Sequence, residues 1–235
     1  MTFGTRMLCL ACLALAPFQA SATNSEPELR WVMERLIEWL PGEYSSQPQL
    51  ELEKTYGAPP DGMHYDWYRV FSQVEVPHIG EHVIYGELRV GGKEQPILPG
   101  TQVLYIITLD PEHGAVNVSG RRVKDPEEYE AAHLDPAKLA TIALDPEYGG
   151  NCNFRWRKHG DQIVGRLAQP DESFIDGTCS MVSRRSGVAM TWDAEWVLNP
   201  SELWIYDNGY LEDGSLFLGR EDRTHIRLTK VGHSQ

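Results

Sequence analysis

Cysteine is scarce in this chain, with four in 235 residues, and so is positive charge: 21 Lys+Arg stand against 34 Asp+Glu, a formal net charge of −13. The first shortage excludes a disulfide-dense small scaffold. The second argues against a nucleic-acid binder, which needs a basic face to displace counterions from phosphates. It also argues, more weakly, against docking on anionic lipid. Long hydrophobic runs are missing as well. The apolar run Met7–Ala16 stops far short of the ~20 residues a membrane helix needs. No Gly-rich phosphate loop, no G-x-S-x-G elbow and no His-Glu-x-x-His occurs, so those three chemistries have no support. What is present, 41% apolar and 23% charged residues, is ordinary for a globular protein and excludes a disordered or collagen-like chain.

Residues 1–22 read as a secretory signal peptide. Arg6 is their only charge, the apolar run follows, and Pro17 precedes Ala20-Ser21-Ala22, an A-x-A cleavage pattern. Cleavage is expected after Ala22, leaving 23–235 as one domain in the periplasm or outside the cell. A buried N-terminal helix is the alternative. Cys9 and Cys12 leave with the signal. Cys152 and Cys179 remain, 27 positions apart. In an oxidising compartment an even pair reads as a disulfide, with two free thiols as the alternative. Two cysteines at this spacing without a nearby His do not make a metal site, and no metal is expected.

Leu29, Val32, Met33, Leu36, Ile37 and Leu40 recur at helical spacing, so one amphipathic helix is predicted ahead of Pro41-Gly42. Ser25 with Glu28 three positions later suggests a capping box. Such a face must be covered, most simply by a sheet or by the open end of a barrel. From about residue 63 the period changes to two. Strands are predicted at 63–75, 80–90, 102–109, 114–120, 152–157, 161–168, 178–184, 187–197, 202–206, 216–220 and 223–230, broken by Gly, Pro, Asn and Asp turns. This spacing is that of an antiparallel sandwich or barrel. Between 121 and 150 the texture differs: two Asp-Pro starts, at Asp125 and Asp135, predict two short helices in a connection. His78-Ile-Gly-Glu-His82 resembles a metal motif but falls where two strands meet, and is read as a hairpin turn.

Seven tryptophans are spread through the chain, and Trp67, Trp156, Trp192, Trp196 and Trp204 lie in predicted strands. A small barrel lined with aromatics can hold one flat apolar ligand, or these rings can simply be core. Tyr65, Trp67, Arg69 and Phe71 alternate onto one strand face, and Tyr85 and Glu87 share a face of the next.

At this point the chain resembles the CpcT/CpeT family, the bilin (phycobiliprotein chromophore) lyases and their homologues. The stretch from Gly150 to Val231 carries the likeness most strongly, through Asn151-Cys152, Trp156, Gly165, Cys179, Glu195, Asp207-Asn208-Gly209 and Gly219. Upstream, Leu36 to Gln49, Arg69 and Tyr85-Gly86-Glu87 resemble the family's opening helix, its Arg-bearing strand and its Tyr-x-Glu. The resemblance implies an antiparallel calycin (lipocalin-like) β-barrel, in many members a homodimer. It implies a lyase that binds an open-chain tetrapyrrole, a bilin, and transfers it covalently to a cysteine of an acceptor protein. An exported, non-catalytic lipocalin-like binding protein for a flat apolar ligand is the alternative. The sequence departs from the family at Pro99-Gly100-Thr101-Gln102-Val103, where a Tyr-Arg-x-Arg strand is usual, and at Asn208, where Arg is common. The site is expected inside the barrel, lined by Trp67, Arg69, Tyr85, Glu87, Tyr105 and Asp207. Either Arg69 and Glu87 pair there in a ligand-free core, or Arg69 meets a ligand carboxylate while Glu87 or Asp207 accepts tetrapyrrole N–H groups.

Overall fold

The computed structural model describes residues 25–147, 152–168, 177–183 and 186–232. The expected signal peptide, with its cleavage site after Ala22, lies outside them. Helix α1 (Glu26–Trp39) forms where the apolar period predicted it, with Leu29, Val32 and Leu36 buried and Leu40 buried just beyond. The capping box does not form. The Ser25 side chain makes no cap hydrogen bond, and only its carbonyl accepts, from the N–H groups of Glu28 and Leu29. Two elements have no counterpart in the sequence reading: β1 (Gly42–Ser45) and α2 (Gln47–Thr55). The first is four residues long. The second buries only Leu50 and so shows little apolar period.

The remaining strands are β2 (Trp67–Val74), β3 (Val83–Val90), β4 (Val103–Asp110), β5 (Ala115–Arg122), β6 (Asn153–His159), β7 (Gln162–Ala168), β8 (Thr178–Val182), β9 (Ala189–Leu198), β10 (Glu202–Tyr210), β11 (Leu216–Leu218) and β12 (Ile226–Lys230). All the pairings are antiparallel, in the order β10-β12-β1-β2-β3-β4-β5-β6-β7-β9 and back to β10. Among the described residues this is a closed ten-stranded barrel. β8 extends the line of β7 along β9, and β11 extends the line of β12 along β10. These two stand beside the β9–β10 hairpin at one end.

Strand parity decides what faces inward. Trp156, Gly165, Trp196 and Ile205 are cross-strand partners in one row. A Cβ on Gly165 would lie 2.3 Å from the Trp156 ring, so glycine is required for that indole to lie across β7. Phe154, Trp156 and Trp196 pack on one another with centroids 5.0–6.5 Å apart. α1 lies against β4, β5, β6 and β7 and adds Val32, Leu36 and Leu40 to the same core, so the helix fills the barrel rather than standing beside it.

A second, smaller core lies outside β3 and β4. There the connection 123–144 covers Val83, Tyr85 and Leu104 with Ala132, Leu139 and Ile142. Only one of its two expected helices is α-helical. α3 (Pro136–Thr141) is capped by Asp135, whose carboxylate accepts from the N–H groups of Ala137 and Lys138. The other Asp-Pro start gives a 3₁₀ turn, because Asp125 has φ of 51° and its side chain makes no cap. His78 and His82 sit at the β2–β3 turn as read; His78 Nε2 meets the Ile142 carbonyl, and no metal cluster occurs among the described residues.

Cys152 and Cys179 are bonded, with Cα atoms 5.7 Å apart, tying β8 to the start of β6. A bridge closing a loop of this length contributes about 3.5 kcal/mol in the chain-entropy picture. Replacing both cysteines by serine is therefore expected to lower stability by roughly that amount in urea unfolding. Thiol titration of residues 23–235, denatured but unreduced, should find no free cysteine. Gly165→Ala is expected to cost about 1–3 kcal/mol, because the fully buried Trp156 ring must move; an unchanged urea midpoint would contradict the row described above.

Candidate functional site

The six expected site residues do not share one face. Trp67, Arg69, Tyr105 and Asp207 have inward parity, together with Tyr44, Phe71 and Trp196. Tyr85 and Glu87 do not. The inward position between them is Gly86, whose Cβ would meet Tyr105 at 2.7 Å and Phe71 at 3.3 Å. Tyr85 therefore points outward, stacked on His133 under the 123–144 connection, and donates to Glu87 at 3.0 Å and to the Tyr129 carbonyl at 2.9 Å. Burial and the Glu87 carboxylate push its hydroxyl pKa up strongly. Glu87 has a side chain only 1% exposed and faces Arg89 at 3.4 Å. The expected Arg69–Glu87 pairing does not form, because the register sets Arg69 opposite Leu88 and Val70 opposite Glu87.

Arg69 is held by rings instead. Its Cζ lies 5.1 Å from the Trp67 centroid, 5.3 Å from Trp196 and 6.0 Å from Phe71, within cation–π range of all three. Its Nε is buried and has no hydrogen-bond partner, and Arg69 makes no ion pair among the described residues. A buried guanidinium N–H without an acceptor is costly unless something else supplies one.

Asp207 is the opposite charge on this face. Its Oδ1 accepts from Trp192 Nε1 at 2.6 Å. Burial raises its pKa to about 6, against the pull of Arg69 and of the indole N–H, both of which favour the ionised form.

Arg69, Phe71, Val103, Tyr105 and Arg122 border a cavity of about 170 Å³, at whose edge Glu87 also lies. Asp207 does not line it. Arg122 was not singled out from the sequence, although the signal was there. Val116, Val118, Gly120 and Arg122 alternate on β5, and the first two are buried. A Cβ on Gly100 would lie 3.5 Å from an Arg122 terminal nitrogen, so the guanidinium stands beside the 99–103 segment. Val103 and Arg122 are cross-strand partners. Two guanidiniums on one small, ring-walled cavity suit a carboxylate.

No family model matches the chain, and no curated protein matches it. Solved structures do. A CRL protein of Arabidopsis, solved in its selenomethionine form, matches over 88% of this chain and 100% of its own, with a TM-score of 0.57 and 16% identity. The T-type phycobiliprotein lyase CpeT from Prochlorococcus phage P-HM1 matches over 84% of this chain and 96% of its own, with a TM-score of 0.47 and 13% identity. The CRL likeness is one of fold. The barrel expected from the sequence resemblance is the barrel observed.

The Asp207 environment has a pH signature. A pKa raised from 3.8 to about 6 means the folded state holds the proton more tightly than the unfolded chain. The stabilising contribution is complete below about pH 4 and is lost as pH rises through about 6. Asp207→Asn keeps an acceptor for Trp192 and removes this titration. Relative to the variant, the wild type should gain thermal stability as pH falls from 7 to 4; parallel melting profiles would contradict the assignment.

Proposed function

We propose that the protein is an exported binding protein that holds a flat, apolar, carboxylate-bearing ligand in its barrel, with an open-chain tetrapyrrole as the ligand class. One observation carries this reading: the Arg69 guanidinium lies against the rings of Trp67, Phe71 and Trp196 and has a buried Nε without an acceptor. A ligand carboxylate between Arg69 and Arg122 supplies that acceptor, and the rings around it suit a flat apolar body. The cavity is smaller than the ~300–1,000 Å³ usual for a drug-sized ligand. It takes the carboxylate arm and one ring, and the rest of a tetrapyrrole lies over the rim. Asp207, the acceptor expected for a pyrrole N–H, does not line this cavity and accepts from Trp192. The bonded Cys152–Cys179 pair supports export, as does the signal-like start of the chain.

Covalent transfer of the bilin to a cysteine of an acceptor protein is the second reading. The resemblance to the CpcT/CpeT lyases supports it, and so does Arg122, which offers a guanidinium beside Gly100 where their arginines are absent.

Adding biliverdin to the mature protein tests both. Binding should shift the visible absorption band at tens of micromolar protein. Arg69→Gln should weaken it roughly 10- to 100-fold, the value of one or more lost charge-assisted hydrogen bonds. No spectral change in the wild type would end the ligand reading. Binding without transfer to an acceptor thiol would leave the protein a carrier.

A further inference from the structure

The outer wall opposite the 123–144 connection carries a feature the interior does not explain. Arg157, Val164, Val197, Trp204 and Arg227 are successive cross-strand partners on β6, β7, β9, β10 and β12. Their parity is outward, since Trp156, Gly165, Trp196 and Ile205 face in. Outer positions of a barrel are ordinarily polar. Here three apolar side chains stand side by side, and at ~4.8 Å per strand the Val164–Val197–Trp204 stripe is about 10 Å long. That is the length of a two-ring aromatic. The stripe floors an open groove of about 460 Å³, more than twice the interior cavity and within the usual range for a small-molecule site.

The charges around it are one-sided. Arg157, Lys158 and Arg166 border the groove beside the imidazoles of His159 and His225, against the single carboxylate of Glu195. That carboxylate is already held by Arg166 and His225. Glu202 is held by the Trp204 indole N–H at 3.0 Å and by Arg227 at 2.8 Å. Arg227 lies 5.0 Å from the Trp204 centroid and fixes the ring as a platform. Lys158 rests 4.8 Å from the Trp31 ring, and neither it nor His159 has an acidic partner among the described residues. In a chain of net charge −13, a cationic rim around an apolar floor is a local reversal of field that attracts anions.

We infer that this outer groove is a second binding site, for a small planar aromatic carboxylate whose rings lie on Val164, Val197 and Trp204 and whose anion meets Lys158 and His159 at the β6 end of the stripe. The site is separate from Arg69 and does not depend on the interior reading.

The probe is 2-naphthoate, titrated calorimetrically into the mature protein, with 2-naphthalenemethanol as its uncharged analogue. Naphthoate should bind in the micromolar to sub-millimolar range and weaken as salt rises. The uncharged analogue should bind about tenfold or more weakly, the worth of one charge-assisted contact. Trp204→Ala and the surface double variant Lys158→Glu/His159→Glu should each reduce affinity about tenfold or more; the second keeps the test valid should the first fold poorly. Equal binding of both probes, no binding up to millimolar naphthoate, or full affinity in the double variant would overturn the inference. So would loss of binding in Arg69→Gln, which would place the probe inside the barrel.

Discussion

One strand shares its two edges: β10 pairs with β9 on one side and β12 on the other, and that double pairing closes the sheet on itself. The rest of the interior follows. A closed sheet has no free edge, but its lumen must be filled. Eight strands leave a space that side chains alone can fill, and ten leave more. Here the excess is taken up by α1 and by the Phe154–Trp156–Trp196 rings, which are large enough that β7 has to present a bare glycine beneath one of them. Only a small volume beside Arg69 stays open. The candidate site is what the filling leaves over, which is why it is small, ring-walled and near one end.

The two walls of the sheet handle charge differently. Outside, acids and bases alternate across the strands and satisfy one another, as in Arg166–Glu195–His225 and Arg227–Glu202–Trp204. The His225 and Arg166 contacts hold the Glu195 carboxyl down to about 2, so that carboxylate remains ionised through the physiological range. Inside, Arg69 and Asp207 are of opposite sign, yet they lie beyond ion-pair distance and lean on indoles instead of on each other. Such a pair is soft: each charge has a partial partner and room for a better one. Interior charges held this way mark a site more convincingly than the saturated ladder outside.

Much of this was legible in the sequence because it is carried by period. The α1 stripe and the run of alternating strands follow from side-chain spacing, and the bonded cysteines from the even pair left beyond the expected signal peptide. β1 and α2 were not legible, since a four-residue strand and a helix burying one leucine leave no periodic trace. The site was half legible. Trp67 and Arg69 were placed correctly by parity within β2. Tyr85 and Glu87 were assigned to the wrong wall because parity within β3 is visible in sequence, whereas its phase relative to β2 is set by register. Gly86 carried the missing information: a glycine between two large residues marks the face where another ring needs room. Arg122 was hidden for a related reason, as the last step of an alternation that begins with two valines and passes through a glycine.

The seam of the barrel has a consequence for how the chain is made. β1, near the start, pairs with β12, near the end, through Tyr44–Lys230 and Ser45–Thr229. β12 is also the only strand joining β1 to β10. During vectorial synthesis the sheet can therefore grow from β1 through β10 but cannot close until β12 leaves the ribosome. Until then β1 and β10 each present an unpaired edge, and the aromatic lumen remains open to water along the gap. The five-residue β12 is thus the keystone of the ring: chain order places its two pairings after every other pairing of the described barrel strands.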